Sequence, residues 1–174
     1  MKRKIIASII LVMAIILFGC SSKPETFLEY QNSNFEAEAT LEINSDKYSV
    51  NIVKSAPDTY KITFLSPENL QGVFIEKNGE NVVYSVGNVQ IPIKNGTNLV
   101  ADMTEVFSMA KENLVSDKDE MFNGVKVNTK KFSKETIDTV VYVSAENSLP
   151  IRIETSINGN EINMTFSSFK TSEN

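Results

Sequence analysis

Glu36, Glu38 and Glu42 recur at even spacing in the stretch F-E-A-E-A-T-L-E-I. Two carboxylates held together in unlike surroundings can divide acid and base roles between them. Here they alternate with Phe35, Ala37, Ala39, Leu41 and Ile43, a period of two that marks a half-buried strand. The glutamates therefore share its solvated face, and the chain has no histidine to work beside them. Ser116 to Glu120, S-D-K-D-E, gathers three more acids. It lacks the ligand spacing and glycine of a calcium loop and reads as an acidic loop. No G-x-S-x-G string frames a nucleophilic serine. Cys20 is the only thiol, so a disulfide, a C-x-x-C redox pair and a thiolate metal site are all excluded within the chain. These residues imply no catalytic group, no metal site and no cofactor. The expectation is a protein that is not an enzyme.

Cys20 has a different chemistry. Lys2, Arg3 and Lys4 precede an apolar or small-residue run from Ile5 to Phe18, fourteen residues long. That is short of the ~20 needed to span a bilayer as a helix, and it describes a secretory signal. Leu17-Phe18-Gly19-Cys20 resembles the bacterial lipobox. Its sulfur would take a diacylglycerol, with cleavage between Gly19 and Cys20 making the cysteine the new N-terminus. Several acyl chains hold far better than one, each buried methylene contributing about 0.8 kcal/mol. The expected location is the extracytoplasmic face of a bacterial membrane, lipid-anchored. The mature chain would keep 155 residues, with 14 basic against 22 acidic side chains. That length supports one domain with a core. The acidic balance argues against nucleic acid as a partner.

The elements that would carry any binding surface follow from periodicity. Residues 21–34 read as a polar tether. After the strand at Phe35, Tyr48-Val50-Ile52 and Tyr60-Ile62-Phe64 continue the alternation. Strands at 73–75 and 82–86 flank Asn78-Gly79, and Gly87-Asn88 leads to Val89-Ile91-Ile93. The period then lengthens. Leu99, Met103, Val106, Phe107, Ala110 and Leu114 fall on one side of a helix expected from about Asn98 to Val115. Strands resume at 125–132, 139–144, 149–157 and 162–169, with turns at Asn123-Gly124 and Asn158-Gly159. The expected fold is mainly β (α+β), a curved open antiparallel sheet of about ten strands, paired in sequence order, covering one amphipathic helix. The expected division is 1–19 signal peptide, 20–34 lipidated tether, 35–170 the domain, and 171–174 a tail.

Pro57 to Ser85, P-D-T-Y-K-I-T-F-L-S-P-E-N-L-Q-G-V-F-I-E-K-N-G-E-N-V-V-Y-S, resembles the core of the LolA/LolB/RseB-type half-barrel proteins. There a proline opens a strand, an aromatic-basic-aliphatic run follows, a second proline turns, and an apolar strand reaches an Asn-Gly hairpin. Ser148 to Phe169 resembles that family's closing hairpin. Within the family the anchored, Lys-rich character is similar to the clostridial germination lipoproteins of the GerS type. Ala56 stands where the carriers commonly place an arginine, and the lid helix is shorter than theirs.

The resemblance implies a binding module. One expectation is a protein partner, a cell-envelope or spore-cortex hydrolase such as an amidase. The alternative is a LolB-like binder of acyl chains or lipoproteins. For that alternative the candidate hydrophobic cavity is bordered by Phe64, Phe74, Met103, Phe107 and Phe166, apolar and adaptable side chains suited to an alkyl ligand.

Overall fold

The computed structural model describes residues 28–93 and 99–172. The signal segment, Gly19 and Cys20 lie outside the described residues. Among the described residues, eleven strands form one open antiparallel sheet in the order β6-β5-β4-β3-β2-β1-β11-β10-β9-β8-β7. In chain order they are β1 Asn34–Ile43, β2 Asp46–Ala56, β3 Thr59–Ser66, β4 Phe74–Asn78, β5 Asn81–Val86 and β6 Val89–Ile93. After the crossover come β7 Leu114–Phe122, β8 Val125–Lys134, β9 Ile137–Ser144, β10 Pro150–Ile157 and β11 Asn160–Ser172.

Sequence neighbours pair, as expected, with one exception that shapes the molecule. β6 does not pair with β7; instead β1 pairs with β11, Asn34 opposite Ser172 and Ile43 opposite Ile162. Two meanders therefore join along the first and last strands, and β6 and β7 stand at the two free ends. The hairpins are set by turn chemistry. Asn123 and Gly124 have φ of 49° and 80°, and Asn158 and Gly159 have 51° and 81°. Positive φ at both central residues gives the two-residue turn whose twist matches the strands.

Strand β7 corrects the sequence reading. Ser116–Glu120 is strand, not an acidic loop. Its alternation is invisible in composition because charges lie on both faces. Asp117 pairs across with Lys130 on one side, while Glu120 reaches Thr129 on the other.

The crossover corrects a second expectation. No single helix runs through residues 99–115. Leu99–Asp102 is a single α turn, α1, and Met103–Ser108 tightens into a 310 helix. The chain is extended again at Ala110 and turns once more at Lys111–Asn113. Thr104, Val106, Phe107 and Ser108 are weak helix formers. The buried residues Met103, Val106 and Met109, and likewise Thr104 and Phe107, are three apart. A helix of three residues per turn aligns that spacing. Among the described residues, no helix is long and apolar enough to cross a membrane.

The core lies between the crossover and one face of the sheet, the inner face. Phe35, Ala37, Ala39 and Leu41 of β1, Val50 and Ile52 of β2, Tyr60 and Ile62 of β3, Ile153 of β10, and Ile162 and Met164 of β11 are all buried there. Phe166 and Phe169 are three apart on β11, which in a regular strand puts them on opposite faces. A bulge between Glu38 and Ala39 of the β1 pairing changes this: Ala39 opposes Phe166 and Ala37 opposes Phe169, so both rings point inward. The extra residue, Ser167, donates its hydroxyl to the Glu38 carbonyl at 3.2 Å.

Candidate functional site

The inner face has a filled centre and two unlike wings. At the centre, Phe107 is fully buried. Its ring centroid lies 5.2 Å from Phe35, 6.1 Å from Tyr60 and 6.4 Å from Phe166. Phe35 and Phe169 extend the cluster at 4.7 Å, and Tyr30 closes it edge-on at 5.5 Å from Phe169. Such edge and tilted contacts add about 0.5–1.5 kcal/mol per pair beyond burial itself.

Polar groups fasten the crossover at its sides. Lys77 of β4 donates to the Thr104 hydroxyl at 3.1 Å, and Gln31 donates its side-chain amide to the Met109 carbonyl at 3.0 Å. Lys134 of β8 meets Glu105 at 3.3 Å. Lys54 points into the inner face from β2 and donates to the Gln31 carbonyl. Burial lowers its pKa, partly opposed by Asp58. Burial, helped by Asp58, pushes the Tyr60 phenol up to about 12, and burial raises Tyr30 as well. The Tyr30 hydroxyl is buried without a hydrogen-bond partner among the described residues. In all three groups burial disfavours the charged form.

The five residues of the expected cavity do not converge on one space. Met103, Phe107 and Phe166 meet at the centre with no exposed surface on the first two. Phe64 lies on the same face, edge-on to Tyr48 at 5.7 Å. Phe74 does not. It opposes Thr63 in the β3–β4 register, so it lies on the outer face, where the Lys61 ammonium sits 4.0 Å above its ring. The inward residues of that strand segment are Val73 and Ile75. Both neighbours of Phe74 are apolar, so sequence alternation alone does not say which face it takes.

The β5–β6 wing is apolar and partly bare. Tyr84 opposes Ile75 and Ile91 opposes Tyr84, which places Val86, Val89 and Ile91 on the inner face. Val89 is 60% exposed and Ile91 52%. The β7–β8 wing is polar. Asn128 donates to Asp117 at 2.7 Å and to Asp119 at 3.2 Å, and the Lys130 ammonium lies 2.5 Å from Asp117. Burial pushes Asp117 upward, but the hydrogen bonds from Lys130 and Asn128 outweigh it and hold the carboxyl below its usual range. Asp119, Asn128 and Lys130, with Glu29 and Ser144, border a pocket of about 270 Å³ beside Leu28.

On the outer face a shallow groove of about 370 Å³ runs over β9, β10 and β11 past Asp138, Arg152, Glu154 and Glu161. Arg152 pairs with Glu154 at 2.7 Å, and Tyr142 donates to the same carboxylate at 3.2 Å. Glu36, the first of the evenly spaced glutamates, accepts from Asn51 at 3.0 Å on this face. Two S-x-x-K spacings occur, Ser108 to Lys111 and Ser167 to Lys170, and neither frames a nucleophile. Their hydroxyls donate to the Glu105 and Glu38 carbonyls instead. No group of three or more His, Cys, Asp and Glu that would hold a metal occurs among the described residues.

No protein-family model and no curated protein matches the sequence. Solved structures do match the fold. The chain is similar to an uncharacterized conserved protein from Thermus thermophilus, with a TM-score of 0.54 at 12% identity over 84% of each chain. It is similar to MucB with a TM-score of 0.52 at 11% identity, covering 84% of this chain and 57% of MucB. A LolA superfamily protein from Nitrosomonas europaea aligns with a TM-score of 0.46 at 11% identity over 84% of this chain and 92% of its own. At such identities the likeness is one of fold.

Proposed function

We propose that this chain is a lipid-anchored, non-enzymatic binding module on the outer side of a bacterial membrane, supporting a cell-envelope or spore-cortex hydrolase as GerS-type lipoproteins do. The observation that carries this reading is the filled inner face. Phe107 occupies the middle of the sheet against three aromatic rings, where an acyl chain would otherwise lie. With the centre occupied, recognition falls to the outer face and the sheet edges, which suit a protein partner. Affinity purification of the full chain, with protein and lipid mass spectrometry of the same eluate, tests it. A stoichiometric hydrolase of the amidase class without bound lipid is expected; stoichiometric lipid without protein would reverse it. The anchor is tested separately: a metabolic fatty-acid probe should mark the wild type and not Cys20→Ala.

The second reading, a LolB-like binder of acyl chains, is favoured by one feature. Val86, Val89 and Ile91 leave an apolar strip of the inner face exposed beside the plug. A ligand there would lie along the β5–β6 wing, not under Phe107.

A further inference from the structure

The β7–β8 hairpin tip breaks the pattern of its own wing. Phe122 opposes Val125 across the turn at Asn123-Gly124. The last rung that β8 shares with β9 is Val127 opposite Ser144, after which only the Ala145 amide reaches back, to the Lys126 carbonyl at 3.1 Å. Residues 121–125 therefore outrun β9, and β7 is the sheet's end strand on their other side. A projecting tip surrounded by water would be expected to be polar. This one carries Met121, 66% exposed, on the inner side and Val125, 47% exposed, on the outer side. Phe122 lies beside Val125, its ring 4.5 Å from Tyr142.

The tip's position relative to the tether gives the occupant. Leu28 and Glu29 border the same pocket as Asp119 and Asn128, a short step along the hairpin from Met121 and Lys126. Seven residues, and so eight Cα–Cα steps, separate Cys20 from Leu28. Even fully extended they reach about 28 Å. An acylated Cys20 would hold this end of the sheet, and not the opposite end with the Asn88 turn, close to the lipid surface.

We infer that the Met121–Val125 tip is a second membrane contact, dipping its apolar side chains into the bilayer interface and fixing the orientation of the anchored domain. The inference rests on the Cys20 anchor. The mature chain is acidic overall, so the contact is apolar burial, not attraction to anionic headgroups, and its salt dependence is weak. The orientation leaves the outer groove and the far turns free for a partner.

The test uses the full lipidated chain in vesicles of phosphatidylethanolamine and phosphatidylglycerol, carrying an environment-sensitive dye on Val125→Cys or Asn88→Cys. The acylated Cys20 sulfur has no free thiol, so each variant is labelled at one place. The dye at 125 should emit blue-shifted and be quenched severalfold more by acyl-chain spin-labelled lipid than the dye at 88. Adding Met121→Asp should return it toward the aqueous spectrum at any salt concentration. If the protein floats with the vesicles and both positions report water, the tip contact is wrong although the anchor stands. If the protein does not float and Cys20 itself takes the dye, the anchor is wrong and the inference falls with it.

Discussion

The two wings of the inner face, β5–β6 and β7–β8, begin from the same backbone pattern and end as different surfaces. On the first, Tyr84, Val86, Val89 and Ile91 continue the apolar core outward past the crossover. On the second, Asp117, Asp119, Asn128 and Lys130 close on one another. Asn128 Oδ1 is buried without a hydrogen-bond partner among the described residues, but the charges of this network pair with one another and need no apolar cover. An apolar strip does, and a patch of that kind is where a partner or ligand gains most. The edges differ in the same sense. Pro92 of β6 opposes Val83 of β5 and supplies no amide to a further strand, whereas β7 is guarded by its charges and by a bulge between Leu114 and Ser116. The inner face is thus one sheet with a sealed centre, an apolar shore and a polar shore.

The largest expected effect tests the seal. Phe107→Ala should cost about 3–5 kcal/mol in denaturant melts of the mature chain, through lost contacts and an unfilled cavity. A cost near 1 kcal/mol, with altered uptake of a fatty acid, would mean the centre is loosely filled and the three regions are really two.

Alkali probes the same centre. Tyr60 is raised to about 12 and Tyr30 is raised too, chiefly by burial. A folded pKa above the unfolded value of about 10 contributes stability that is complete below pH 10 and is lost as pH climbs toward the folded value. Ultraviolet titration should therefore show two phenols ionising only as the far-ultraviolet signal collapses. Early ionisation of all five tyrosines, with the fold intact, would place water among the aromatic rings.

Acid probes the polar shore. Asp117 is held below its usual range by Lys130 and Asn128, so its contribution is present above the unfolded pKa and is lost as pH falls through the folded one. Asp117→Asn should lower stability modestly at pH 7, because the carboxylate is partly exposed, and little in acid, so that the pH dependence below about pH 4 flattens. An equal loss at both pH values would show that the network is held by shape and not by charge.

The smallest effects belong to the exposed residues. Glu105→Ala and Ile91→Asp should each shift stability by less than about 0.5–1 kcal/mol. For Ile91→Asp the informative readout is binding. If the apolar shore holds a ligand or partner, capture weakens while the melt does not move.

Much of this was legible in residue order. The Asn-Gly turns at 123 and 158 fixed two hairpins, and alternation placed Phe35 to Ile43 on one strand with its glutamates outward. Three features were not. The β1–β11 pairing joins residues more than a hundred apart in sequence, where local pattern says nothing. The crossover's apolar residues suggest a helix, and only their burial against the inner face, with Met103, Val106 and Met109 three apart, selects the tighter coil. Phe166 and Phe169 share a face because of a bulge at Ser167 that no residue type announces. Of the expected cavity, Met103, Phe107 and Phe166 came together, Phe64 joined their face, and Phe74 turned away under Lys61.

The central claim is that the inner face is filled by its own crossover and is not a lipid pocket. Titration of the mature chain with a fluorescent fatty acid whose emission rises in apolar surroundings tests it most directly. The account predicts no saturable rise with wild-type protein and a new, saturable rise with Phe107→Ala, whose cavity is then open. Saturable binding near one ligand per wild-type chain would contradict it.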